Sequence, residues 1–217
     1  MRRALLLSLA LPFLLGNAAE AQTCVGMPSF STGRMQVSGG GSFADGASSV
    51  AGNFGYGAAR GLYGKAGIGS TSYDSYDASS FDLNLGGGYQ IPLQTSRTAE
   101  LCPVANLSLG SGPNDVLGGT DISSRTFAFG AAAGAVLGRN PQMQILPNAS
   151  FQFANTHVSR DDGTNPVSGS ESYAVVTLGT GFVFNSRFSL NPSINIPMGL
   201  DGGSTSFGLM GAMNFGR

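Results

Sequence analysis

The chain has 217 residues, of which 34 are glycine and only 11% are charged, and its formal net charge at pH 7 is −1. So small a net charge gives no electrostatic basis for binding nucleic acid. So few charged residues are unusual for a soluble domain, whose surface must be solvated, whereas a surface that faces lipid needs few charges.

Residues 1–21 have the pattern of a secretory signal peptide. Its parts are a basic start, an apolar run and small residues before the cleavage site: Arg2 and Arg3, residues 4–15, and Ala19 and Ala21. The apolar run is shorter than the roughly 20 residues that a membrane-spanning helix needs. We therefore expect cleavage before Gln22, and residues 22–33 then form a periplasmic N-terminal segment.

From residue 34 to the chain end, apolar and small polar residues alternate with period two, which predicts β-strands. The last strand shows this clearly, because Phe207, Leu209 and Phe215 share one face. Turn signals divide residues 34–217 into the following strands: 34–43, 47–58, 60–71, 79–91, 98–109, 122–137, 142–156, 171–185, 187–197 and 204–215.

The connections between these strands alternate between tight turns and mostly longer polar loops, among them residues 157–170. Outer-membrane barrels show this alternation, with the tight turns and both termini in the periplasm. The sequence therefore predicts an all-β fold, an antiparallel up-and-down transmembrane β-barrel of about ten strands at residues 34–217. Eight strands are the alternative, if one hairpin lies outside the membrane.

Aromatic residues fall near the two ends of the predicted strands. The group at the longer-loop end is Phe43, Phe81, Phe127, Phe129, Phe151, Phe153 and Phe207. The group at the tight-turn end is Phe54, Tyr56, Tyr89, Phe182, Phe184, Phe188 and Phe215. Two such belts are expected at the two interfaces of a membrane barrel. A soluble β-sandwich would bury its aromatic residues in the middle of its strands.

Charged residues also separate between the two ends. The tight turns and termini carry one acid, Glu100, and the basic residues Arg34, Arg60, Arg97, Arg139, Arg187 and Arg217. The longer loops carry Arg125, Arg160 and the acids Asp45, Asp74, Asp77, Asp115, Asp121, Asp161, Asp162, Glu171 and Asp201. Solvation of both rims explains this pattern. Alternatively, the acidic rim binds divalent cations that bridge lipopolysaccharide phosphates, because hard cations prefer carboxylate oxygens.

The leader, the alternating strands, the two aromatic belts and the aromatic last strand together resemble the small outer-membrane β-barrel proteins of Gram-negative bacteria, the OmpA/OmpX/opacity-like group. The resemblance spans about residues 34–217 and includes no motif diagnostic of one family. It implies a location in the cell outer membrane, contact with its lipid and lipopolysaccharide, and insertion by the barrel-assembly machinery. The chain departs from the group at its end, because Phe215 is followed by Gly216 and Arg217.

Cys24 and Cys102 both follow the leader and therefore lie in an oxidising compartment, where a disulfide is the expected state. The predicted strand order places both near the periplasmic end of the barrel. Two free thiols are one alternative. Lipidation of Cys24 is another, although Gln22 and Thr23 are not the small apolar pair expected before a lipidated cysteine.

Few ionisable residues face the predicted lumen. Inward parity places Lys65 on the third strand and Asp82 and Asn84 on the fourth. Because a buried, unpaired charge costs several kcal/mol, we expect a structural ion pair between Lys65 and Asp82, with an ion path as the alternative. A barrel of ten strands is narrow, so we do not expect a general diffusion pore.

One group of residues has the parts of acyl-transfer chemistry: the single histidine, His157, with Ser159 and Glu171. Their spacing looks like that of outer-membrane lipid A deacylases. Those enzymes carry an aromatic residue between the histidine and the serine and an asparagine after the serine, where this chain has Val158 and Arg160.

A protease of the omptin type is a further alternative, which would use His157, Asp161 and Asp162. These three residues fall in one short loop rather than across a cleft. No nucleotide, metal or redox motif stands out, and we expect no cofactor. The sequence therefore predicts a non-enzymatic barrel with a structural or surface-interaction role through acidic extracellular loops. The alternative is a lipid A-modifying acyl hydrolase.

Overall fold

A computed structural model describes residues 21–28, 33–58, 61–74, 78–93, 99–112, 121–137, 142–161, 166–200 and 203–215. Residues 1–20, which hold nearly all of the predicted signal peptide, lie outside these ranges. The long strands are Met35–Ala44 (β1), Ala47–Gly57 (β2), Leu62–Tyr73 (β3), Ala78–Tyr89 (β4), Ala99–Ser111 (β5), Asp121–Ala135 (β6), Met143–Asp161 (β7), Val167–Phe184 (β8), Phe188–Met198 (β9) and Ser206–Phe215 (β10). Within the described ranges no helix is long and apolar enough to cross a bilayer.

The ten strands form one closed antiparallel barrel. Each strand pairs with the next, and β10 pairs with β1, with Phe207 opposite Phe43 and Phe215 opposite Met35. Closure gives the backbone of every strand two partners, which lipid could not supply. The prediction of an up-and-down barrel of ten strands is confirmed. The eight-strand alternative is wrong, because every predicted strand is a member of the closed sheet.

The barrel has two distinct ends. The terminal end is the one at which β1 begins and β10 ends; the loop end is the opposite one, where β7 and β8 are joined. The exposed apolar side chains of the wall form one outer face, on which the aromatic residues of both predicted groups stand. At the loop end Phe43 is 64% exposed, and at the terminal end Phe54 is 49% exposed. An outer face this apolar is suited to lipid rather than to water.

The β7–β8 hairpin is longer than the sequence predicted. Residues 157–170 were expected to form a polar loop, but β7 continues to Asp161 and β8 begins at Val167. The added residues pair across the hairpin, with Arg160 opposite Val167, and β6 also follows β7 as far as the pair of Asp121 and Asp161. Cross-strand pairing satisfies the backbone here without an apolar face, because water solvates the polar side chains.

Candidate functional site

The chain segment before β1 enters the barrel at the terminal end. Residues 24–27, here called the inner segment, include Cys24 and Met27, which are 1% and 8% exposed. Cys24 forms a disulfide with Cys102 of β5, which confirms the predicted pair. The amide Nδ2 of Asn191 on β9 donates a hydrogen bond to the carbonyl oxygen of Val25, at 2.9 Å. A covalent bond to β5 and a hydrogen bond to β9 therefore hold the inner segment across the lumen.

Small residues make room for the inner segment. A Cβ atom on Gly181 of β8 would overlap the carbonyl group of Gly26. Gly26 itself has a φ of +65°, and a Cβ atom there would lie 2.8 Å from Nδ2 of Asn191. Glycine is favoured at positive φ because it lacks the Cβ atom that causes the steric clash. The two glycines therefore permit the close passage of the inner segment along the wall.

A cavity of about 370 Å³ adjoins the inner segment within the lumen. Val25 and Met27 line it at the terminal end, and Ser42 and Ser49 line it nearer the loop end. The Oγ atoms of Ser42 and Ser49 are 2.7 Å apart, which joins β1 to β2 by a hydrogen bond. Most of the remaining lining is glycines and residues with amide or hydroxyl side chains, and among the described residues Lys65 is the one charged residue that lines the cavity.

Hydrogen bonds between strands fix several of the lumen amides. Nδ2 of Asn106 donates to Oε1 of Gln152 at 2.9 Å, across β6. The hydroxyl of Thr177 donates to Oδ1 of Asn195 at 2.8 Å. By contrast, Oδ1 of Asn191 is buried and has no hydrogen-bond partner among the described residues. Hydrogen bonds between strands therefore hold Gln152 and Asn195 of the cavity wall in place.

The two charged lumen residues predicted to pair are not directly opposite each other. Lys65 lies opposite Gly86, and Asp82 lies opposite Gly69, so Asp82 is four positions along β4 from the partner of Lys65. Four positions correspond to about 13 Å along a strand. A contact would require the Lys65 side chain to extend along the lumen toward the loop end. The ion pair stays a prediction.

The three residues with acyl-transfer chemistry lie on the β7–β8 hairpin, but not as a triad. Nδ1 of His157 is 2.9 Å from Oγ of Ser170, the residue directly opposite it. Ser159 lies opposite Ser168, and Glu171 lies opposite Thr156. Neighbouring residues of a strand point to opposite faces of the sheet, so Glu171 and His157 lie on different faces. The fold brings His157 to Ser170 rather than to Ser159.

Some of the acidic residues of the loop end lie within the described ranges. Asp121 and Asp161 are directly opposite each other at the tips of β6 and β7, and both are exposed. Asp45, Asp74 and Glu171 also lie at this end. Other predicted rim residues fall outside the described ranges: Arg60, Asp77, Arg97, Asp115, Arg139, Asp162, Asp201 and Arg217. The omptin-type alternative therefore retains only His157 and Asp161 among the residues that can be placed.

Sequence reasoning did not anticipate the inner segment, although a signal for it was present. The period-two pattern places Leu101 on the outer face and therefore Cys102 on the inner face. A disulfide to an inward-facing cysteine requires Cys24 to lie inside the barrel. Strand parity and disulfide pairing together would have predicted that the N-terminal segment enters the lumen.

No protein-family model matches the chain, and no curated protein matches its sequence. Among solved structures, the N-terminal β-barrel domain of OprF from Pseudomonas aeruginosa is 15% identical, with a TM-score of 0.39, covering 85% of this chain and 98% of that chain. Ail, the attachment invasion locus protein of Yersinia pestis, in complex with the heparin analogue sucrose octasulfate, is 13% identical, with a TM-score of 0.46, covering 85% of this chain and 100% of that one.

The translocator domain of the autotransporter NalP from Neisseria meningitidis is 10% identical, with a TM-score of 0.46, covering 86% of this chain and 89% of that one. These structures are small outer-membrane β-barrels, to which the chain is similar in fold. The closed order of the ten strands, rather than any of these likenesses, defines the fold of this chain.

Proposed function

We propose that the chain is a non-enzymatic outer-membrane protein that contacts other surfaces through the polar sheet at its loop end. The observation that carries this proposal is the continuation of β6, β7 and β8 beyond the aromatic residues Phe127 and Phe153. The six residues from Thr156 to Asp161 lengthen β7 by about 20 Å, at 3.3 Å per residue along the strand. Together with residues 121–126 of β6 and 167–171 of β8, which pair with them, they form what is here called the projecting sheet. A barrel that only filled the membrane would not need this projection.

The orientation follows from the rule for bacterial barrels that both termini lie in the periplasm. The terminal end, with the disulfide and the inner segment, then faces the periplasm. The loop end, with the projecting sheet and its acidic residues, faces the outside. A cleaved signal peptide at residues 1–21 would deliver the chain to this location.

Among the described residues, β8 pairs with β9 only from Ala174 onward, so residues 167–170 have β7 as their one neighbouring strand and lie at an edge of the projecting sheet. All four of these residues are exposed. An unpaired strand edge can add an extended segment of another molecule through backbone hydrogen bonds. This edge and the acidic tips of β6 and β7 are the parts of the chain best placed to meet lipopolysaccharide, divalent cations or another surface.

The orientation is tested by labelling single cysteines in intact Gram-negative cells. Ser168→Cys lies on the projecting sheet and should react with a maleimide that does not cross the outer membrane. Ser186→Cys, in the tight turn between β8 and β9, is the matched control and should react only after the cells are lysed. Reaction of Ser186→Cys in intact cells, with Ser168→Cys protected, would contradict the proposed orientation.

The contact role is tested with vesicles that hold the wild type or a variant in which residues 158–169 are replaced by an Asn-Gly turn. Such a two-residue turn preserves a β-hairpin, so the barrel should still fold and migrate in a heat-modifiable way. Wild-type vesicles should adhere to a lipopolysaccharide-coated surface in Mg²⁺, and the shortened variant should not. Equal adhesion of both, or adhesion by neither, contradicts the proposed role.

A further inference from the structure

The cavity beside the inner segment combines features of a ligand site that the proposed surface role does not use. It is a polar space of about 370 Å³ inside the barrel, and Val25 and Met27 line it at the terminal end. Access is therefore from the loop end, past Ser42 and Ser49. A narrow barrel with such an obstruction is better suited to holding a small solute than to passing one.

The charge of this cavity is set by one residue. Lys65 is the sole lysine of the chain, and every other basic residue apart from the histidine is an arginine. It lies on the inner face of β3, between Gly55 of β2 and Gly86 of β4. Neither neighbour has a side chain, and the space over Gly86 is filled by the Lys65 side chain, whose Cε lies 2.8 Å from the position of a Cβ atom there, and by Oδ1 of Asn106. The two glycines therefore make room for the Lys65 side chain inside the lumen.

No carboxylate lines the cavity with Lys65 among the described residues. Asp82 is on the inner face of β4, but it is not one of the cavity residues and lies nearer the loop end. An ammonium group in a confined polar space, without a fixed counter-charge beside it, attracts an anion more strongly than one in bulk water.

The rest of the lining is suited to hydroxyl groups. Amides and hydroxyls of Gln152, Asn195 and Ser193 line the cavity and can both donate and accept hydrogen bonds. Gln152 and Asn195 are held in place by hydrogen bonds to Asn106 and Thr177, so their polar groups are preorganised to meet the hydroxyl groups of a ligand.

We infer that the lumen holds a binding site for a small polyhydroxylated organic anion, such as a sugar acid, that enters from the loop end. The acid group binds Lys65, and the hydroxyl groups bind the amides and hydroxyls of the opposite wall, among them Gln152, Ser193 and Asn195. The cavity volume limits the ligand to about the size of a monosaccharide or disaccharide.

Binding is measured with the mature protein in nanodiscs and radiolabelled gluconate, a sugar acid, at constant ionic strength. The wild type should bind gluconate saturably. Sorbitol, which has the same hydroxyl pattern without the charge, should compete at least tenfold more weakly, because a charge-assisted hydrogen bond contributes about a factor of ten or more.

The variants locate the site. Lys65→Met should weaken gluconate binding by about tenfold or more, and Lys65→Arg should retain most of it, because the charge remains. Arg125→Met is the matched control, since it removes an exposed positive charge at the loop end outside the cavity. It should leave binding unchanged. Heat-modifiable migration shows that each variant has folded.

A second readout needs no variant. Because the chain has one lysine, acetylation of Lys65 by a small water-soluble acylating reagent can be followed by peptide mass analysis without interference from other lysines. Gluconate should slow this acetylation, and sorbitol at the same concentration should not. Absence of saturable binding, equal binding of sorbitol, unchanged binding in Lys65→Met, or no protection of Lys65 each overturns the inference.

Discussion

Gly181 of β8 leaves the space that the carbonyl group of Gly26 occupies inside the barrel. The inner segment and the wall therefore touch backbone to backbone, which no larger residue at position 181 would permit. This contact, together with the disulfide between Cys24 and Cys102, obstructs the lumen at the terminal end. The backbone contact at Gly181 and the disulfide can be tested separately with different variants.

A valine at position 181 should displace the inner segment. In Gly181→Val, the new side chain would overlap Gly26, and the strain should make the disulfide accessible to dithiothreitol. Access governs the rate of thiol–disulfide exchange, so we expect reduction to be faster by about tenfold. The rate is measured by alkylating the released thiols. Gly169→Val is the control, because a Cβ atom there meets nothing within 4 Å, and an equal acceleration in it would contradict the explanation.

The disulfide should contribute strongly to stability, because it closes a loop of 78 residues between Cys24 and Cys102. In the chain-entropy model such a loop is worth about 4 kcal/mol. Replacing both cysteines with serine should lower the free energy of unfolding in urea by up to about that amount. Mass analysis of the unreduced wild type should show the loss of two hydrogens. Two free thiols would refute the pairing.

The barrel wall was predictable from the sequence because lipid imposes a strict contrast between the two faces of each strand. Phe207 and Phe215 mark the outer face of β10, and the same alternation locates the other strands. The added part of the β7–β8 hairpin was not predictable in this way. Both faces of the sheet around His157 and Ser170 carry polar residues, so period two leaves no visible pattern in the sequence. The cavity at Lys65 depends on register and on the inner segment, which strand periodicity does not specify.

Replacing an exposed apolar residue with arginine should destabilise the barrel when the residue lies on the wall, but not when it lies on the projecting sheet. Leu85 lies midway between Phe81 and Tyr89 on β4 and is 46% exposed, and Val167 lies at the start of β8 and is 63% exposed. Leu85→Arg should destabilise the folded barrel in vesicles by about 2–4 kcal/mol, because the residue faces lipid near the midplane. Val167→Arg should change the free energy of unfolding by less than about 0.5 kcal/mol. Urea unfolding in vesicles measures both, and equal costs would contradict the assignment of Leu85 to lipid.

Lipid A should be unaffected by the residues that resemble a deacylase. His157 contacts Ser170 rather than Ser159, and Glu171 lies on the other face of the sheet. An acyl transfer needs nucleophile, base and orienting group in mutual contact. We therefore expect cells that express the wild type, Ser159→Ala or no barrel to give the same lipid A mass profile. Loss of an acyl chain that depends on Ser159 would restore the hydrolase alternative.

Divalent cations should stabilise the pairing of the tips of β6 and β7. Asp121 lies directly opposite Asp161, and like charges directly opposite each other destabilise a strand pair. A Ca²⁺ or Mg²⁺ ion bound by both carboxylates would relieve this repulsion, because hard cations prefer oxygen ligands. Millimolar Ca²⁺ should therefore slow amide hydrogen exchange at residues 156–161 relative to EDTA.

The double variant Asp121→Asn with Asp161→Asn should lose this response, whereas Asp45→Asn, in the β1–β2 turn, should keep it. A response of equal size in the double variant would show that the cation acts elsewhere, and no response in the wild type would remove the divalent-cation bridge from the proposed surface role.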